Sequence, residues 1–215
     1  MRGDRDDTGL PVRSRSAAPH RSSAHARLAR EDVGAVLLVE GISDRCAIEA
    51  LAERRGRDLD AEGVAVVPIG GAQAIGRFLR LYGPQGLAVR LAGLCDAAEE
   101  RNFRRGLERA GFGGNLTRAD MERLGFYVCV ADLEDELIRA VGALAVEQVV
   151  AAHGDLGRFR TLQKQPEWRG RPLEQQLRRF MGSGGRRKIR YARYLVEAVD
   201  LAHVPRPLDL VLAHV

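Results

Sequence analysis

The sequence has no long apolar run, and this absence excludes a membrane-spanning protein. No segment approaches the roughly 18 consecutive apolar residues that a membrane helix requires. The basic N-terminus has no apolar stretch behind it, so it does not have the form of a secretory signal. We therefore expect a water-soluble globular protein, because 215 residues suffice for one medium-sized domain with a substantial core.

Cysteine and aromatic residues are both scarce. Aromatic residues make up 5% of the chain, while arginine and alanine dominate, which favours helices. The three cysteines, Cys46, Cys95 and Cys129, are an odd number and lie in apolar segments. This pattern predicts buried free thiols in the reducing cytoplasm rather than a disulfide framework.

The net charge of +5 is distributed unevenly along the chain. Residues 1–30 carry +4, residues 31–157 carry −7, residues 158–193 carry +10 and residues 194–215 carry −2. An acidic region followed by a strongly basic segment is typical of a metal site beside a phosphate-binding surface. A well-solvated, arginine-rich helical face explains the same charge equally well.

Apolar segments alternate with helical patterns between residues 33 and 140. The continuous run 33–39 is typical of a strand buried on both faces, and a helix is expected to start near Asp44 with Ser43 as its N-cap. The alternation recurs, with strands expected at 64–69, 87–95 and 126–130 and helices at 74–82, 99–110 and from Thr117. Strands that alternate with helices predict an α/β fold with a mostly parallel four-stranded sheet and helices on both faces.

The two ends of the chain differ from this pattern. Residues 1–30 show no apolar periodicity, which predicts a disordered basic arm. After residue 134 the pattern is helical, with one long helix expected at 134–152, others at 173–181 and 189–199, and a flexible glycine loop at 182–185. The sequence therefore predicts an α/β core at 32–140 and a helical extension at 141–215.

Three of the expected strands end in carboxylates. Glu40 follows the first strand, Asp96 the third, and an acidic cluster at 132–136 the fourth. The carboxyl ends of parallel strands converge on one crevice, so these residues are expected to meet. Carboxylates that meet raise one another's pKa unless a cation neutralises them, and Mg²⁺ prefers such hard oxygen ligands. Three strand-end acids favour a metal site, although a single one commonly caps a helix.

Acidic residues in the first turns of two helices have a second explanation. Asp44 lies one helical turn beyond Glu40 and can face the same crevice, but negative charge at a helix N-terminus is also favourable without a metal. Asp132, Asp135 and Glu136 are interpreted as such helix-start charges rather than as ligands.

Four segments and one downstream motif together resemble a known family. The segments are Val39-Glu40-Gly41-Ile42-Ser43-Asp44, Gly70-Gly71, Leu94-Cys95-Asp96 and Asp132-Leu133-Glu134-Asp135-Glu136-Leu137. They resemble the Toprim domain, and in particular the Toprim module of the OLD (overcoming lysogenization defect) nucleases. The Lys-Ile-Arg-Tyr-Ala motif at 188–192 resembles that module's lysine ahead of a helix. The likeness extends over about residues 33–215.

The resemblance implies cleavage of phosphodiester bonds with Mg²⁺ or Mn²⁺ as the cofactor. It assigns the coordination of one or two ions to four acids: Glu40, Asp44, Asp96 and Glu134. In a one-ion variant, Glu40 would instead act as a general acid or base. Lys188 would neutralise the charge that develops on the phosphate.

The resemblance also implies partners. Arg186, Arg187 and Arg190 are expected to hold the backbone of a nucleic acid, with DNA favoured, although each of them is explained equally well as part of a solvated helix face. OLD nucleases carry an ATPase domain ahead of the Toprim module, and this chain has no GxxxxGK[ST] loop. Any ATPase is therefore expected to be a separate partner protein.

One departure from the family pattern concerns the metal site. The family has an Asp-x-Asp pair after the third strand, but this chain has Asp96-Ala97-Ala98. Either Glu99 or Glu100 substitutes for the missing acid, or a second metal ion binds poorly.

Three alternatives to a self-sufficient nuclease remain open. The first is a non-catalytic nucleic-acid-binding module with an impaired metal site, as in recombination mediators. The second is a subunit that is inactive until an ATPase joins it. The third is a flavodoxin-like or receiver-like domain, which also has acids at strand ends but does not require Lys188 near Glu40 and Asp96. Gly70-Gly71 is explained equally well by a phosphate-binding turn or by a plain strand-to-helix turn.

Overall fold

The computed structural model describes residues 33–215, so the predicted basic arm at 1–30 lies outside the described residues. Within 33–215, no helix is both long enough and apolar enough to cross a membrane. In this part of the chain, the side chains of Cys95 and Cys129 are buried, Cys46 is partly buried, and all three are free thiols.

Four parallel strands form one sheet in the described part of the chain, in the order β2-β1-β3-β4. The strands are β1 (Ala35–Val39), β2 (Val64–Pro68), β3 (Arg90–Cys95) and β4 (Phe126–Val128). Ala35 at the start of β1 pairs with Val64 on one side and Arg90 on the other. All five residues of β1 are buried, which explains the unbroken apolar run. The predicted four-stranded parallel α/β fold is confirmed.

Ten α-helices lie within residues 33–215. They are α1 (Ile42–Arg54), α2 (Ile75–Tyr82), α3 (Glu100–Arg109), α4 (Arg118–Arg123), α5 (Leu133–Val141), α6 (Ala143–Ala152), α7 (Leu156–Lys164), α8 (Leu173–Gly182), α9 (Gly185–Ala198) and α10 (Arg206–His214). Short 3₁₀ turns occur at Ala72–Ala74, Ala97–Glu99 and Leu201–His203.

An apolar core covers each face of the sheet. Because side chains alternate along a strand, Val36 and Leu38 of β1 point to the core formed with α2, α3 and α4. Leu37 and Val39 point to the opposite core, which contains residues of α1 and of every helix from α5 to α10. The C-terminal helices therefore share one core with α1, and the division near residue 140 stays a prediction.

The predicted helix at 134–152 is wrong. The chain breaks at Gly142, whose φ of +85° ends α5 and starts α6. Only glycine adopts this backbone conformation without strain, since it has no Cβ. Apolar residues continue across the break, and this continuity explains why the sequence pattern alone predicts a single helix.

The other helical corrections lie further along the chain. Helix α7 was not predicted, and neither was α10, in which Pro207 occupies the first turn where the missing N–H costs nothing. Helix α9 begins at Gly185, four residues earlier than expected, so the loop after α8 consists of Ser183 and Gly184. Lys188 consequently lies in the first turn of α9.

Candidate functional site

The ends of β1 and β3 are linked by the Glu40 side chain. Its Oε1 accepts a hydrogen bond from the backbone N–H of Asp96 at 2.8 Å, across 56 residues of sequence. Burial raises the pKa of Glu40 to about 7, although the Asp96 N–H opposes this shift. The charges of Asp96, Asp44 and Glu99 raise it further. Four acids therefore act on one another at this edge of the sheet.

Asp96 lies directly after β3 and is half-buried. Burial, followed by the charges of Asp44 and Asp132, raises the pKa of Asp96 to about 6, and Lys188 acts in the opposite direction. Asp96 thus interacts with residues at the start of α1, α5 and α9. The strand order explains this convergence, because β1, β3 and β4 are neighbours and their carboxyl ends lie at one edge.

Asp44 lies in the first turn of α1 and is buried. The helix begins at Ile42 with Gly41 as its N-cap, so the predicted Ser43 cap is wrong. Asp44 Oδ2 accepts the Gly41 N–H at 2.8 Å, and Oδ1 lies 3.4 Å from Ser43 Oγ. Burial raises the pKa of Asp44, and Lys188 opposes that shift. Asp44 therefore stabilises the start of α1 and also belongs to the acidic group.

Glu134 and Lys188 form an ion pair between α5 and α9. Lys188 Nζ lies 3.2 Å from Glu134 Oε2, and the Glu134 side chain is only 8% exposed. Its other oxygen, Oε1, is buried without a hydrogen-bond partner among the described residues. Burial raises the pKa of Glu134 to about 7 against the opposing charge of Lys188. Burial lowers the pKa of Lys188, but Glu134 and Asp44 outweigh it, so the net shift is upward.

The position of Lys188 is fixed by the packing of α9 along α1. Arg54 at the end of α1 donates a hydrogen bond to the carbonyl oxygen of Val196 at 2.6 Å. Glu53 pairs with Arg193 at 2.6 Å. These contacts hold the second half of α9 beside the end of α1. At the other end of α9, the charge of Lys188 acts on Asp44 as well as on Glu134.

The remaining acids of the cluster at 132–136 stabilise the start of α5. Asp132 is the N-cap, with Oδ1 accepting the Asp135 N–H at 2.8 Å and Oδ2 accepting from Arg178 Nε at 2.7 Å. Glu136 Oε1 accepts the Val130 N–H at 2.7 Å. Asp132 is thus the N-cap of α5, and Asp135 and Glu136 lie in its first turn, at the helix start where they were expected.

Gly70 and Gly71 form a turn that supports Glu40. Their backbone N–H groups both donate to the Glu40 carbonyl oxygen, at 3.1 and 3.2 Å. Their φ angles of +77° and +113° are ones that residues with a Cβ rarely adopt. Because both amides are already bonded, the strand-to-helix turn is the better explanation, and a phosphate-binding role is not supported.

The two candidates for the missing acid differ in their surroundings. Glu100 pairs with Arg118, whose Nε lies 3.2 Å from Glu100 Oε2. The charge of Glu99 raises the pKa of Glu40, and Glu99 Oε2 accepts from Asn102 Nδ2 at 2.6 Å. Of the two residues, Glu99 is the one whose charge acts on Glu40.

The predicted nucleic-acid-binding arginines are not gathered with the acids. Arg187 donates to the Phe180 carbonyl oxygen at 3.1 Å, and its guanidinium carbon lies 4.2 Å from the centre of the Phe180 ring. Arg190 lies 3.6 Å from the buried Asp155. Arg186 is exposed on α9. Arg187 and Arg190 therefore stabilise the helical region.

A groove that the sequence did not predict opens beside the acids. It has a volume of about 570 Å³. Its lining combines the acidic site with basic, polar and aromatic residues of α8 and the preceding loop: Asp132, Glu134, Trp168, Arg171, Gln175, Arg178, Arg179, Gly182 and Lys188. The charge of +10 over residues 158–193 was a signal for such a surface. The sequence could not indicate which arginines face it.

The acidic group has the chemistry of a hard-cation site. The carboxylates offer only oxygen ligands, and burial, followed by the charges of neighbouring acids, raises the pKa values of Glu40, Asp96 and Glu134. Glu134 Oε1, which has no hydrogen-bond partner among the described residues, is a further oxygen ligand beside these carboxylates. Among the described residues, no three Asp, Glu, His or Cys side chains are already arranged as a set of metal ligands. By the chemistry of their oxygen atoms, these residues suit a hard cation such as Mg²⁺ or Mn²⁺.

Comparison with known proteins agrees with this arrangement. Residues 34–97 match the family described as "Overcoming lysogenization defect protein-like, TOPRIM domain". The chain contains an OLD-like Toprim domain. Glu40 and Asp96 lie within the matched segment of this Toprim domain, whereas Glu134 and Lys188 follow it. No curated protein sequence matches the chain.

Solved structures of OLD proteins share the fold over most of the chain. The C-terminal region of the Burkholderia pseudomallei OLD protein is 22% identical, with a TM-score of 0.64 over 85% of this chain and 96% of that chain. The C-terminal region of the Xanthomonas campestris pv. campestris OLD protein, in the structure phased with platinum, is 25% identical, with a TM-score of 0.64 over 84% and 91% of the two chains. The likeness reaches far beyond residues 34–97 and includes helices that follow the sheet.

Proposed function

We propose that this chain is a metal-dependent nuclease that hydrolyses phosphodiester bonds of DNA, with Mg²⁺ or Mn²⁺ held by four acids: Glu40, Asp44, Asp96 and Glu134. The observation that carries the proposal is the convergence of these carboxylates, from three separate parts of the chain, beside Lys188. A bound divalent cation would supply Lewis-acid polarisation of the phosphate and a water of lowered pKa.

The protein's own side chains have distinct roles in this proposal. Glu40 is held in place by the Asp96 N–H. In a one-ion variant that leaves Glu40 without a bound metal, its pKa of about 7 would allow it to give or take a proton near neutral pH. Glu134 keeps Lys188 charged and close to the acids. The ammonium group of Lys188 would then oppose the negative charge that builds up on the phosphate during hydrolysis.

Glu99 is the candidate for the acid that Ala98 does not provide. Its charge acts on Glu40, whereas Glu100 is engaged by Arg118. Through Glu99 the chain would recover a second acidic residue after β3, with the carboxylate reaching back from the 3₁₀ turn at Ala97–Glu99.

The second candidate function is a nucleic-acid-binding module without catalysis. Two observations favour it: Ala98 stands where the family has an acid, and no closed set of metal ligands is formed among the described residues. An ATPase that acts together with this module is part of the same proposal, because OLD nucleases carry an ATPase domain ahead of the Toprim module.

A plasmid-nicking assay tests the proposal. Supercoiled DNA is incubated with Mg²⁺ or Mn²⁺ and with the wild type, Glu40→Gln or the control Glu100→Gln. We expect the wild type and Glu100→Gln to nick DNA equally and Glu40→Gln to lose at least about a hundredfold in rate. Nicking that is equal in all three proteins would contradict the proposal. Absence of nicking in all three, with DNA still bound, would favour the binding module.

A further inference from the structure

We infer that the groove along α8 binds a single, unpaired strand of nucleic acid, with Trp168 stacked against a base and the neighbouring arginines bound to phosphates. The inference deepens the proposed function and rests on it for the identity of the ligand. The groove contains Glu134 and Lys188 of the acidic site at one part of its lining and Trp168 at another. A strand lying in it would contact both.

The cations of the groove are available to a ligand. Arg171 and Arg179 are exposed, and the side chains of Arg178 and Lys188 are 47% and 36% exposed. Arg178 also binds Asp132. Arg171 and Arg179 therefore provide the cleaner test of ligand binding. Guanidinium groups bind phosphate oxygens without reading sequence, so the expected affinity falls steeply with salt.

Trp168 is partly buried against the core, and its loop is held in place by side-chain contacts. Its carbonyl oxygen accepts a hydrogen bond from Gln176 Nε2 at 2.8 Å, and Gln176 is buried and also accepts from Gln163 Nε2 at 2.7 Å. The guanidinium carbon of Arg179 lies 5.8 Å from the centre of the indole ring. A buried glutamine thus fixes the loop that carries the ring, and an arginine lies against it. Such a fixed aromatic ring is suited to stacking.

The presence of an aromatic ring discriminates between ligands. Stacking on a side chain requires a base that is free of its neighbours, as in single strands, gaps and frayed ends. A closed duplex offers the groove only its phosphates. We therefore expect preference for an unpaired strand, independent of sequence.

The fluorescence of Trp168 gives a direct test, because it is the chain's single tryptophan. The full-length protein is titrated with oligothymidylate or with a closed hairpin duplex in EDTA, so that cleavage does not interfere. We expect saturable quenching by the single strand, weakened by salt, and about tenfold weaker binding of the duplex. Equal affinity for both, or unchanged fluorescence while DNA binds in a gel-shift assay, would overturn the inference.

Substitutions test the individual residues. Arg171→Gln combined with Arg179→Gln is expected to weaken oligothymidylate binding more than tenfold, while Arg105→Gln, at an exposed arginine of α3 outside the groove lining, leaves it unchanged. Trp168→Ala, followed by fluorescence anisotropy of a labelled oligonucleotide, is expected to weaken binding about tenfold, and Trp168→Phe to retain most of it. Far-ultraviolet circular dichroism confirms that each variant is folded. Equal loss in Arg105→Gln and in the groove variants would contradict the inference.

Failure of this inference and failure of the proposed function give different results. Quenching of Trp168 fluorescence without nicking would support binding of the strand in the groove and would contradict the proposed nuclease function. Nicking without quenching would support the nuclease and place its DNA elsewhere.

Discussion

Glu40 accepts a hydrogen bond from the backbone amide of Asp96, and this contact joins the ends of two neighbouring parallel strands. The backbone of β3 thereby determines the orientation of a carboxylate from β1. Because the Gly70-Gly71 turn binds the backbone carbonyl of the same glutamate, both its main chain and its side chain are fixed. A residue held in this way is preorganised for catalysis or for metal binding.

The two lysines of the chain allow a matched test of Lys188. Lys188→Met removes the charge beside Glu134 and the acids, so we expect nicking to fall about a hundredfold or more. Lys164 is exposed at the end of α7, and Lys164→Met is expected to leave nicking unchanged. Rates on supercoiled plasmid measure both. If both variants nicked DNA at the wild-type rate, Lys188 would have no part in the proposed mechanism.

Glu99 and Glu100 form a second matched pair. Glu99→Gln is expected to weaken Mn²⁺ binding about tenfold, because a carboxylate that acts on Glu40 is lost. Glu100→Gln is expected to have no such effect, since Glu100 is paired with Arg118. Isothermal titration calorimetry with Mn²⁺ measures both affinities. If Glu100→Gln weakened Mn²⁺ binding more than Glu99→Gln, Glu100 rather than Glu99 would be the substitute for the missing acid.

The raised pKa values predict how the stability of the metal-free protein varies with pH. Glu40 and Glu134 have an ordinary pKa of 4.5 and a folded-state pKa of about 7. The folded protein therefore binds these protons more tightly than the unfolded chain, and their contribution to stability is lost as pH rises from about 4.5 to about 7. We expect the Tm in EDTA to be lower at about pH 8 than at about pH 5, and Mg²⁺ to restore it.

The control for the pH prediction is the double variant Glu40→Gln and Glu134→Gln. Amide groups do not titrate, so its Tm is expected to change less across the same pH range and to respond less to Mg²⁺. Thermal unfolding followed by circular dichroism measures both proteins. Identical pH profiles for the wild type and the double variant would contradict the prediction.

Gly142 is expected to be required for the break between α5 and α6. No other described atom lies within 4 Å of the position that a Cβ would take there, so the cost of Gly142→Ala arises from the backbone, whose φ is +85°. We expect a loss of about 1–3 kcal/mol in the free energy of unfolding. Gly157→Ala, in α7 with equally open surroundings and no unusual φ, is expected to gain up to about 1 kcal/mol. Urea denaturation distinguishes the two.

The sequence was sufficient for the sheet and for the acids at its edge. Buried strands such as β1 have a continuous apolar pattern. Because β1 and β3 pair in parallel, Glu40 and Asp96 meet at their carboxyl ends. The sequence was insufficient where the backbone, rather than the side chains, decides the outcome. The positive φ at Gly142 cannot be predicted from the sequence pattern, because apolar residues continue on both sides of this glycine.

The basic surface shows the same limit. The charge of residues 158–193 was evident, but its function depends on which side of α8 and α9 each arginine occupies. Arg187 and Arg190 are adjacent in sequence to Lys188 and yet contact Phe180 and Asp155. Arg171 and Arg179 are further from any motif and line the groove. Side-chain direction on a helix is set by tertiary packing, which no local pattern contains.

The shared core of α1 and the C-terminal helices has a practical consequence for protein engineering. An expression product restricted to residues 34–97 would retain Glu40, Asp44 and Asp96 but lose the ion pair of Glu134 and Lys188. It would also expose Ala47, Ile48 and Leu51 of α1, which α9 and its neighbours now cover. Such a truncated product is expected to aggregate, so the smallest usable unit extends through α10, which packs on β3 and β4 in the same core.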